Sequence, residues 1–177
     1  MLYHTELEAR EAVINKAYDY FLNEKRHTPG ELIYSYNNLM KNYFKSDKFV
    51  GLFDYWDCVF VSIIYSRCLL HHAIPIDSDT ESQINSFKEL GRWKDKDYLP
   101  KPGDLVYFYN TKCIFTVGIV LSSFEPDNSF KAIIVIKDKI RMIEKLTRFG
   151  IIGFGIPNFD KIERINNHGI LDRKGSN

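Results

Sequence analysis

The residue best placed to do covalent chemistry is Cys58, in "YWDCVFVS" (residues 55–62), directly after Asp57 and before an unbroken apolar run. If a helix starts there, its unpaired N–H groups and partial positive charge favour a thiolate and lower the thiol pKa. The competing reading is a small hydrophobe in a buried helix. Val59, Phe60, Val61, Ile63 and Ile64 surround it, and free cysteine is among the most buried residue types. A thiol nucleophile also needs an imidazole within reach. His71 and His72 would lie about 20 Å down the same helix, too far, and a favourable cation near that helix's end is their simpler role. His4 and His27 flank the first predicted helix and His168 sits in the tail, so only tertiary folding could bring them near.

Other chemistries find less support. The adjacent "HH" lacks the i, i+4 spacing of a metal pair, and no cysteine or carboxylate cluster has ligand spacing, so neither metal nor cofactor is expected. Cys58 and Cys68, ten residues apart on one predicted helix, are about 15 Å apart by rise and cannot bridge. Three cysteines make no disulfide framework and fit a reducing compartment. Cys68 reads as core and Cys113 as a strand residue without chemistry. Trp56 and Trp93 could rim a groove for glycan or peptide, although large aromatics beside apolar runs more often pack.

The elements that position these residues fall into two halves. Thr5 and Glu8 form a capping box, and Ala9, Val13, Ala17 and Phe21 repeat at helical spacing until "KRHTPG", where Pro29 and Gly30 break the pattern. A second helix is predicted over "ELIYSYNNLMKNYF". Next comes a buried one over "DYWDCVFVSIIYSRCLLHH", with Asp54 or Asp57 as its cap. "SDTESQINSFKELG" gives a capping box from Ser78 to Glu81, apolar Ile84, Phe87 and Leu90, and Gly91 as the stop. The period then changes to strands in "PKPGDLVYFYN", "CIFTVGIVLSSF", "SFKAIIVIKDK", "IRMIEKL" and "GIIGFGIPNF". Helices first and antiparallel strands after make the class α+β. One domain over residues 1–160 and a polar tail over 161–177 are expected.

The chain is 45% hydrophobic and 15% aromatic, enough to bury a core. Lys+Arg 24 against Asp+Glu 23 gives a net charge of +1, with no basic stripe for nucleic acid. No apolar run is long enough to span a membrane, and the charged N-terminus lacks a signal-peptide core, so a cytoplasmic start is expected.

"WDCVFVS", "PKPGDLVYFYN", "TVGIVLSSF" and "GIIGFGIPNF" occur in the order and rough spacing of the CHAP domain, and from about Glu8 to Phe159 the chain resembles that family. These are bacterial and phage cysteine, histidine-dependent amidohydrolases and peptidases. The resemblance implies a papain-like fold, with the cysteine opening a buried helix packed on a small antiparallel sheet. It places the nucleophile at Cys58; separately, Trp56, Asp57 and Trp93 are the residues expected to rim a cleft. The family's general base falls on Thr116, where "H-V-G-I-V" reads "TVGIV". The third polar residue falls nearest Lys137 or Asp138, of which Asp138 is the better candidate.

Threonine cannot titrate near neutral pH, so it can neither form the thiolate nor protonate a leaving amine. Loss of such a base typically costs a factor of about 10² to 10⁴. The expected function is therefore that of a peptidoglycan amidase or endopeptidase relative with lost or reduced activity. The alternative is a non-catalytic binding or assembly protein of the same fold. Its partner would be wall stem peptide or a protein ligand, reached outside the cytoplasm if the chain is phage-derived.

Overall fold

The computed structural model describes residues 3–46, 49–51, 56–109, 115–136 and 139–160. Its class is α+β. Among the described residues are four α-helices, α1 (Glu6–Leu22), α2 (Pro29–Asn42), α3 (Asp57–Arg67) and α4 (Thr80–Glu89). Six strands follow: β1 (Trp93–Asp95), β2 (Leu105–Tyr109), β3 (Phe115–Val120), β4 (Phe130–Ile136), β5 (Lys139–Leu146) and β6 (Ile151–Gly155). They form one antiparallel sheet in the order β1-β6-β2-β3-β4-β5, so the last strand lies between the first two.

Local chemistry accounts for most boundaries. Thr5 caps α1 by accepting the Glu8 N–H, while the Glu8 carboxylate accepts the N–H of His4 rather than that of Thr5. The first helix stops at Leu22, well before Pro29. That proline opens α2 instead, as its first residue, behind the Thr28 cap. This is the position where a missing N–H costs nothing. The buried helix is shorter than its apolar run suggests. It begins at Asp57, with Trp56 before it and no side-chain cap, and gives way after Arg67 to Leu69 at φ 60°. His71 and His72 therefore follow a turn and do not continue the helix. Asp79, not Ser78, caps α4 by accepting the Ser82 N–H. Gly91, at φ 65°, follows its last turn as predicted. Strand β1, only "WKD", carries no periodicity and was not expected from the sequence.

Strand alternation divides the core into two layers. Leu105, Tyr107, Val117, Ile119, Ile133 and Val135 face the helices, where they pack with the interior of α1, α2, α3 and α4. Val106, Phe108, Val120, Ala132, Ile134 and Phe154 form a second buried cluster on the opposite face. Helix α3 is buried on nearly every side and lies against α1, α2, β3 and β4. Among the described residues no helix is long and apolar enough to cross a membrane.

Candidate functional site

Cys58 is the second residue of α3, next to the N-terminal turn as the sequence suggests. Its environment is nevertheless that of a core thiol. The residue has 0% exposure, and its sulfur makes contacts of 3.4 Å to Thr80 Oγ1 and 3.4 Å to Gln83 Oε1, both on α4. Among the described residues, no imidazole is a hydrogen-bond partner of this sulfur. Burial pushes the thiol well above its ordinary pKa, and the neighbouring Asp57 carboxylate pushes it the same way. These two effects outweigh the favourable field of the helix end.

Asp57 occupies the first position of α3 and turns its side chain toward β3. Oδ2 accepts the Val117 N–H at 3.0 Å, the Thr116 hydroxyl at 3.0 Å and the Thr80 hydroxyl at 3.5 Å. The Val117 amide is available because the β3–β4 pairing begins only at Gly118. Oδ1 has no hydrogen-bond partner among the described residues. Burial raises the Asp57 pKa, and the Val117 and Thr116 donors oppose that rise.

Thr116 thus stands at the start of β3 with its hydroxyl on Asp57 and not on Cys58. Asp138 and Lys137 lie outside the described residues, as do Asp54 and Cys113. Trp56 is buried at 4% exposure. Trp93 is half-buried on edge strand β1, with its ring 5.3 Å from that of Tyr107 and Lys88 above it. Of the histidines, His27 stacks on Tyr20 and bonds Glu31, and His71 packs against Tyr43.

Three members of the constellation were not anticipated. Gln83 accepts the Tyr107 hydroxyl proton at 2.7 Å and donates to Pro75 O at 2.8 Å, and Thr80 bridges Asp57 and Cys58. A signal for two of them exists in the sequence. Thr80, Gln83, Ile84 and Phe87 form one i, i+3, i+4, i+7 stripe, and all four are buried. Polar residues on the core stripe of a helix imply polar partners. The arrangement chains thiol, hydroxyl and carboxylate; among the described residues it brings no imidazole to the thiol, and the titratable group beside it is the Asp57 carboxylate. Comparison with protein-family models, curated proteins and solved structures returned no match.

Proposed function

We propose that the chain is a CHAP-like, papain-like domain that has kept the nucleophile's place but not the chemistry, and that it binds its ligand without cutting it. One observation carries this reading. At the family's base position Thr116 engages Asp57, while Cys58 is enclosed between α3 and α4 with hydroxyl and amide partners. A fully buried thiol beside a carboxylate is held protonated, and a protonated thiol is a poor nucleophile. The ligand class suggested by the resemblance is peptidoglycan stem peptide, with a protein ligand as the other candidate.

The test pairs catalysis with binding. Purified cell wall is incubated with the wild type and with Cys58→Ala, and turbidity is followed. Both proteins are expected to leave the wall intact and to be retained on it in a pull-down. Clearing by the wild type that Cys58→Ala abolishes would establish a hydrolase and overturn the non-catalytic reading. Absence of retention would remove the wall as ligand and leave the protein ligand to be sought.

A further inference from the structure

Among the described residues, Asp57, Ser62, Thr80, Gln83 and Thr116 are five of the eight buried polar or charged residues, and they are linked about the start of α3 and its contact with α4. Most of them line a single contact, the one between α3 and α4. On the α3 side stand Asp57, Cys58 and Ser62, and on the other stand Thr80, Gln83 and the Asp77 carbonyl just before α4. The core therefore contains a polar seam between α3 and α4, separate from the buried Arg10–Asp104 pair.

The bonds that cross the seam are weak. Two involve the Cys58 sulfur at 3.4 Å, Ser62 Oγ reaches Asp77 O at 3.2 Å, and Thr80 reaches Asp57 at 3.5 Å. By contrast, bonds within the α4 unit are short: Gln83 to Pro75 O at 2.8 Å, Ser82 N to Asp79 at 2.7 Å, and Ser82 Oγ to Asp77 at 2.7 Å. The unit from Pro75 to Gln83 is thus better bonded to itself than to α3. Its anchorage lies further along, where Ile84 and Phe87 enter the core. Phe87 rests on Gly155, where a Cβ would come within 2.6 Å of the ring. Among the described residues, one short bond ties the N-terminal half of α4 to the sheet, the Tyr107 hydroxyl on Gln83.

We propose that α4 is a lid over Cys58. Its N-terminal half, bearing Thr80 and Gln83, closes on the polar seam, is latched by Tyr107, and swings from α3 about Phe87 to admit the ligand. The asymmetry explains why Thr80 and Gln83 occupy a core stripe. Apolar residues there would weld the helix down, whereas polar ones lose little when water or ligand replaces their partners. The proposal rests on reading Cys58 as the centre of the ligand site.

Thiol labelling tests it on the intact chain. Alkylation of Cys58 by iodoacetamide is followed by peptide mass spectrometry across a range of urea concentrations below the unfolding transition. Cys68, buried beside Ala12, serves as the internal reference for global opening. A local lid predicts Cys58 labelling faster than Cys68 labelling and nearly independent of urea. Tyr107→Phe removes the latch hydroxyl while keeping the ring against Phe87 and Trp93. It should speed Cys58 labelling about three- to tenfold, the worth of one hydrogen bond, without adding urea dependence to it. Equal rates and equal urea dependence for the two thiols would overturn the lid, as would Cys58 labelling in Tyr107→Phe no faster than in the wild type. These readouts involve no wall, so failure of the lid is distinguishable from failure of wall binding.

Discussion

Arg10 offers the sharpest quantitative test of how the site's framework is held. Its guanidinium is 8% exposed, donates to Asp104 Oδ1 at 2.8 Å, to Pro102 O at 2.7 Å and to Glu6 at 2.7 Å, and lies over the Phe159 ring. Asp104 is fully buried, and its other oxygen accepts from Tyr98 and from the Lys101 N–H. This pair pins α1 to the turn that launches β2, the strand carrying the Tyr107 latch. In Arg10→Met the stem volume is largely kept, so packing loss is small. What is lost is the partner of a buried carboxylate, an effect of about 3–5 kcal/mol. Two buried charge-assisted bonds at about 1.5–3 kcal/mol each lead to the same range.

For a chain of this length each kcal/mol shifts Tm by about 2–4 °C, so a fall of about 6–20 °C is expected. Urea denaturation followed by circular dichroism gives the free energy directly. Arg10→Met/Asp104→Asn provides the control. Asn keeps an acceptor for Lys101 and Tyr98 but removes the stranded charge, so the double variant should be more stable than Arg10→Met alone. A loss under about 1 kcal/mol in Arg10→Met, or no recovery in the double variant, would refute the reasoning.

Other expectations follow from the site. Burial raises the Asp57 pKa, so on raising the pH the unfolded chain gives up this proton before the folded one, and ionised Asp57 then weighs against folding. Asp57→Asn should therefore match the wild type at acid pH and gain stability relative to it as pH rises through the carboxylate range; a difference that shrinks with pH would contradict this. Thr116→His alone should not confer wall lysis, because position 116 addresses Asp57 and not Cys58, and turbidity loss would count against that geometry. Gly155→Ala should destabilise by about 1–3 kcal/mol in urea titration, since the new methyl would meet the Phe87 ring. A neutral effect would mean that α4 is not seated on β6.

The sequence was most legible where local chemistry decides. Caps at Thr5, the stop at Gly91 and the change from helical to alternating periodicity all correspond to observed elements. It misled where a signal had two meanings. Pro29 both ends and begins helices, and the apolar run past Arg67 continues after the backbone has left the helix at Leu69. Strand β1 escaped because three residues cannot display a period; its existence depends on β6, some 60 residues later. The site was legible as a position but not as an environment. Nothing local to "WDCV" tells that Thr80, Gln83 and Thr116 will converge on it, since those contacts span 22 to 59 residues.

The sheet order has a consequence for the timing of folding. Strand β1 pairs only with β6, and β2 has β6 on one side, so the sheet has a vacant slot until residues 151–155 have been made. Helix α4 lacks its Gly155 seat for the same interval. During synthesis at about 5–20 residues per second, the chain must wait several seconds after completing α4 before that helix can dock. A nascent chain halted after β5 would expose both the Phe87 ring and an unpaired edge of β2. The last strand is therefore the keystone, and an early stop just before it should yield an aggregating product and not a smaller stable fold.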